Sequence, residues 1–166
     1  MTSFGTIRQD IRWQRQELVA NSLEGVQVAV IGGTNGIGRS LTHTLVAKGA
    51  QVLVVGRSFR DECLPRIKFI RADLSSVKIA RNLARDLPLE SLELIVMTQG
   101  IFAGRERRTN AEGIELDLAV SYLSRLVLVR EFAGRVGKAK ASLGKKPRVF
   151  VMGFPGIGKL LANEAD

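Results

Sequence analysis

The residues whose spacing could most readily do chemistry form one stretch, Gly32-Gly-Thr-Asn-Gly-Ile-Gly38. Glycines permit positive φ and close backbone approach, and a helix starting among them offers unpaired N–H groups and the positive end of its dipole. Those are the features that cradle a phosphate. The spacing, Gly-x-x-x-Gly-x-Gly, differs from the common dinucleotide pattern Gly-x-Gly-x-x-Gly, so its context has to carry the reading. Three further places could complete a nucleotide site. Arg57 and Ser58 follow a second apolar run, Asp73 and Leu74 a third, and Gly100 a fourth. At the end of the second run an acid would bind ribose hydroxyls, whereas an arginine accommodates an added phosphate. Arg57 and Ser58 stand there, and no acid does.

These residues need a scaffold of alternating strands and helices, and the pattern supplies one. Val26-Gln-Val-Ala-Val-Ile31 has the length and β-branched content of a buried strand. From Gly36 the pattern turns helical, with Ile37, Leu41, Leu45 and Val46 on one face. Further strands are expected at Gln51-Val-Leu-Val-Val55, Ile67-Lys-Phe-Ile70, Leu92-Glu-Leu-Ile-Val-Met97 and Val149-Phe-Val-Met152. Asp73 or a following serine is the natural cap for a helix from Val77 to Leu83. Thr109 and Glu112 have capping-box spacing ahead of a long helix from about Glu112 to Phe132. That helix is apolar at Ile114, Leu118, Leu126, Val127 and Val129. The expected fold is α/β, a doubly wound, Rossmann-like parallel sheet of about five strands in order 3-2-1-4-5 with right-handed crossovers. A nucleotide would lie across the carboxyl ends of its strands, with a pyrophosphate on the amides of Asn35 to Gly38.

Length and composition are consistent with this. A chain of 166 residues, 45% hydrophobic and 25% charged, is one globular domain with a real core. Residues 1–25 read as an amphipathic segment, with Phe4, Ile7, Ile11 and Leu18 at helical spacing, and residues 26–166 as the domain. Cys63 is the single cysteine, so an intracellular, reducing setting is expected, with the cytoplasm preferred. The arginines of the first segment also suit a mitochondrial leader, but Asp10 and Glu17 argue against one. No apolar run reaches the length of a membrane span. The net charge of +9 favours anionic partners. Its densest stretch, Gly134 to Arg148, could grip nucleic acid, but no aromatic residue is interleaved to stack bases, so a solvated loop is the preferred reading.

Gly32-Gly-Thr-Asn-Gly-Ile-Gly38 closely resembles the cofactor loop of the short-chain dehydrogenase/reductase family, although Ile31 stands where relatives have threonine. The resemblance implies an NAD(P) cofactor. With Arg57 and Ser58 in place, NADP is expected rather than NAD. It also implies contacts from Gly32, Thr34, Asn35, Gly36, Ile37 and Gly38, from Asp73 and Leu74 near the adenine, and from Gly100 at the floor. Thr98-Gln99-Gly100 stands where the family has Asn-Ala-Gly, and Ser121 where its central helix carries an asparagine. The Arg105-Glu-Arg-Arg108 loop reads as a solvated turn. Family members use a serine, a tyrosine and a lysine four residues after the tyrosine, which lowers the tyrosine's pKa. Here the only tyrosine, Tyr122, is followed by Leu126 and reads as helix packing, and Gly153-Phe154 follows the fifth strand without a hydroxyl. The resemblance therefore covers the cofactor half, truncated after the fifth strand, and the chain alone is expected to be inactive.

Two other functions fit parts of the sequence. A structural or interaction subunit could use the same scaffold and its basic surface in a larger assembly. The apolar 149–152 strand, left at the sheet edge, would invite a protein partner or self-association. Gly153-Phe-Pro-Gly-Ile-Gly-Lys159 has triphosphate-loop spacing, but Leu160 replaces the Mg2+-binding hydroxyl and Pro155 interrupts it. His43 has no second ligand or base near it in sequence, so it reads as a surface or satisfied histidine, and no metal site is expected.

Overall fold

The computed structural model describes residues 22–61, 64–101, 106–137 and 146–153. The readings of residues 1–21, of Cys63, of Arg105, of the lysines at 138–145 and of residues 154–166 fall outside them.

Five strands form one parallel sheet: β1 (Gln27–Ile31), β2 (Gln51–Gly56), β3 (Ile67–Arg71), β4 (Leu94–Met97) and β5 (Arg148–Val151). Their order is β3-β2-β1-β4-β5, as the sequence pattern implies. Helix α1 (Gly36–Ala47) connects β1 to β2, and α2 (Val77–Asp86) connects β3 to β4. A π-helical segment, Leu118–Leu123, runs into α3 (Ser124–Phe132) before β5.

Alternation along the strands sorts side chains to two cores. Ala29, Ile31, Leu53, Val55, Ile95 and Met97 face α2 and α3, and meet Ala80, Leu83, Leu128 and Phe132. Val28, Val30, Val52 and Val54 face the other way, toward Leu45 and Phe59. Burial on both faces explains why β1 and β2 read as continuous apolar runs. Leu128 is fully buried between α3 and the sheet. Leu128→Ala is expected to lower unfolding free energy by about 2–5 kcal/mol, readable in a urea titration.

The structure corrects four readings. The inward face of the central helix is Ala119, Ser124, Leu128 and Phe132, whereas Leu118, Leu126 and Val129 are exposed. The π-helical turn holds an extra residue, which rotates the following face away from α-helical spacing. Tyr122 lies on the exposed side, 58% accessible, and is not a packing residue. Ile37 is 67% accessible, while Leu45 on the same helix is buried. The spacing of Thr109 and Glu112 does not form a capping box: Thr109 bridges Glu115, and Glu115 takes the helix amides of Asp117 and Leu118 at 2.9 and 2.7 Å.

β5 is the open edge. Val149, Phe150 and Val151 are 40–52% accessible, as expected of a strand paired on one side only. No helix among the described residues is long and apolar enough to cross a membrane.

Candidate functional site

β1 ends at Ile31, and after four intervening residues α1 begins at Gly36. Gly32 turns the chain with φ +87°, and a side chain there would meet the Gln99 backbone nitrogen at 2.6 Å. Asn35 caps α1, its Oδ1 accepting from the Gly36 amide at 3.0 Å. Gly36 is thus satisfied locally, and the first intrahelical bond runs from Arg39 to the Asn35 carbonyl. Helix geometry leaves the Ile37 and Gly38 amides as the free donors of this N-terminus. They belong to the expected set, Asn35 to Gly38.

The loop opens onto a cleft of about 600 Å3 at the carboxyl ends of the strands. Gly32, Thr34, Asn35, Gly36, Ile37 and Gly38 form one wall. Arg57, Asp73, Leu74 and Gly100 also reach it. Ten of the eleven residues named from sequence therefore share one cavity; Ser58 is exposed and does not line it. A Cβ on Gly36 would meet nothing within 4 Å, so the cradle has room for an anion where a side chain would otherwise stand. The open cradle, the free amides and the basic rim fit a dinucleotide.

The side of the cleft beyond β3 is built by Asp73, whose Oδ1 accepts from the Ser75 amide at 3.0 Å, and by buried Leu74. The cap of α2 is Ser76, accepting from Ile79, which leaves Asp73 at the cleft. Glu112 closes this corner from a distant loop. Its carboxylate accepts from the Ser76 hydroxyl at 2.5 Å and from the Val77 amide at 3.3 Å. The Ser76 hydroxyl, with the helix amides and Arg81 nearby, holds Glu112 below the usual carboxylate range.

Asp61, behind the Arg57 loop, is lower still. The Arg39 guanidinium first, and His43 after it, bring it from an ordinary 3.8 to about 2, against the opposing cost of burial. Carboxylates depressed in the folded state stabilise it above their unfolded pKa, and that stability is lost as pH falls through the folded one. The acid limb of unfolding is therefore expected between about pH 4 and 2. Asp61→Asn should flatten it in a thermal-melt series across that range, with little change between pH 2 and the acid limit.

At the other end, sequence reasoning missed Arg125. From α3 it donates Nε to the Gln99 carbonyl at 3.1 Å, with Nη2 on the same oxygen, and Nη1 to the Met152 carbonyl at 2.7 Å. It ties the loops after β4 and β5 together and lines the cleft. Burial lowers its pKa. The one available signal was its place a helical turn after Ser121, whose hydroxyl accepts from the Ile101 amide at 3.3 Å and donates to Asp117. Thr98, which replaces the family's asparagine, donates its hydroxyl to the Ile31 carbonyl at 3.1 Å and so pins β4 to β1 beside the glycine loop. His43 is a satisfied surface histidine, its Nε2 at 3.0 Å from Asp61. Among the described residues no cluster of potential metal ligands forms.

Sheet order, glycine turn and cleft together define a Rossmann-like fold with an open site at the carboxyl ends of its strands. Over most of its length the chain is similar to proteins of the short-chain dehydrogenase/reductase family. It is similar to an uncharacterized oxidoreductase of Saccharomyces cerevisiae, with 40% identity over 153 residues, 90% of this chain and 50% of that protein. It is 29% identical over 157 residues to a short chain dehydrogenase/reductase of Colletotrichum higginsianum, covering 85% of this chain and 39% of that one. Among solved structures, a Pseudomonas aeruginosa protein in an NADP active-site complex superposes with TM-score 0.60 at 26% identity, over 80% of this chain and 56% of that one. An NADH-dependent reductase solved with NAD shares the fold, with TM-score 0.61 at 18% identity, over 80% of this chain and 60% of that one. No family model matches the sequence. The chain spans half or less of the length of these two curated relatives.

Proposed function

We propose that this chain binds NADP(H), as the cofactor-holding half of a short-chain dehydrogenase/reductase. The observation that carries the reading is the convergence, at one cleft, of the α1 N-terminus, Arg57, Asp73 and Gly100. In this reading the diphosphate takes the Ile37 and Gly38 amides, and the cation of Arg57 takes the extra ribose phosphate. Leu74 packs on the adenine and Asp73 accepts from its amino group. The NADP-bound and NAD-bound relatives support a nicotinamide dinucleotide; Arg57, with no acid at the end of β2, selects the phosphorylated form.

Bound, the cofactor supplies hydride chemistry. The chain's own residues bind and orient it, but they hold no tyrosine–lysine pair: Tyr122 is the sequence's sole tyrosine and Leu126 stands four residues on. Carbonyl reduction then needs a proton donor from another chain or from further sequence of a longer protein. Isothermal titration of the full chain with NADPH and NADH tests the binding claim. Micromolar binding of NADPH, tighter than that of NADH and without turnover, is expected. No heat from either, with the protein folded, would overturn it.

A further inference from the structure

We infer that Arg39 and His43 sequester the Asp61 carboxylate, and that this sequestration sets the chain's preference for a phosphorylated over an unphosphorylated dinucleotide. The inference rests on the function proposed above. The β2–β3 connection carries the acids Asp61 and Glu62, of which Glu62 lies outside the described residues and Asp61 does not line the cleft. Asp61 Oδ2 accepts from Arg39 Nε at 2.7 Å and lies 3.0 Å from His43 Nε2; Oδ1 accepts from Arg39 Nη2 at 3.0 Å. The Asp61 side chain is 14% accessible, against 43% and 42% for its two partners. Both oxygens are spent on a two-pronged arginine contact and an imidazole, so little acceptor capacity remains for ribose hydroxyls.

A free carboxylate in this connection would act in three ways. It would accept from ribose hydroxyls, as in unphosphorylated-cofactor sites; it would repel a ribose phosphate; and it would compete for the neighbouring arginines. Tied to α1, it does none of these. Among the described residues, Arg57 and Arg60 are exposed and have no carboxylate partner. A second anchor keeps the loop in this arrangement. Phe59 is buried and stacks on Phe69 with ring centroids 5.6 Å apart. With Phe59 and Asp61 both held, Arg60 between them and Arg57 just before them present their cations outward without a conformational search on binding.

The test titrates NADPH and NADH into the full chain as wild type, Arg39→Gln, and the double variant Arg39→Gln/Asp61→Asn. Arg39→Gln leaves the carboxylate charged and held by His43 alone. It is expected to lower the NADPH-over-NADH affinity ratio by about tenfold, the scale of one unit charge acting near a surface phosphate. Removing that charge in the double variant should restore the ratio to within about threefold of wild type. A lesion that merely loosened the fold would not be repaired by a second substitution. Should Arg39→Gln fail to fold, His43→Ala is expected to move the ratio in the same direction by a smaller factor. A ratio unmoved in both single variants, or unrestored in the double, would overturn the inference. A folded wild type that binds neither dinucleotide would instead refute the proposed function beneath it.

Discussion

Arg57→Glu is expected to weaken NADPH binding by about a hundredfold while changing NADH binding no more than about threefold. The asymmetry follows from position. Arg57 lines the cleft where β2 ends and is exposed; in the proposed binding mode it meets the group that NADPH has and NADH lacks. Reversing its sign replaces an attractive, charge-assisted contact with a repulsive one. Because the site is solvated, salt should compress the difference, and repeating the titration at high ionic strength checks that it is electrostatic. Stability should move by no more than about 0.5 kcal/mol, as for other exposed positions. Equal losses for both cofactors would mean that Arg57 shapes the loop and does not read the phosphate.

Two alanine substitutions in the glycine turn should separate folding from binding. Gly36 has φ +50° and open space where its Cβ would be. Gly36→Ala is expected to cost about 1–2 kcal/mol of backbone strain and leave a folded protein. Its methyl would occupy the anion cradle, and NADPH affinity should fall at least about tenfold. Gly38 is buried, and its Cβ would strike the Gly32 carbonyl oxygen and come within 2.5 Å of Thr98 Oγ1. Gly38→Ala forces α1 away from β1 and β4, and about 1–3 kcal/mol of stability should go with the binding. Melting temperature and NADPH titration, read together, distinguish the two. Gly36→Ala should lower affinity by more than its stability loss would imply.

Much of this architecture was legible in the residues. The β1 and β2 runs are apolar at nearly every position because both faces of a parallel sheet are covered, and the glycines at the end of β1 mark where the chain must turn beside β4. What escaped the sequence depended on contacts between distant elements. Glu112 has the spacing of a local cap, but caps α2 across a loop, because Asn110 fastens that loop to the Ser75 carbonyl at 2.5 Å. The buried face of α3 was misread because one π-helical turn upstream shifts the register, and no apolar period announces such a turn. Arg125 and the pair formed by Arg39 and Asp61 were ordinary charges in a basic chain until the fold brought their partners to them.

The central claim is that the amides at the start of α1 grip a diphosphate, and diffraction from crystals of the full chain grown with NADPH tests it most directly. The expected density places the diphosphate within hydrogen-bonding distance of the Ile37 and Gly38 nitrogens, with the ribose phosphate beside Arg57. A dinucleotide bound elsewhere, with this turn filled by the chain's own side chains, would contradict it.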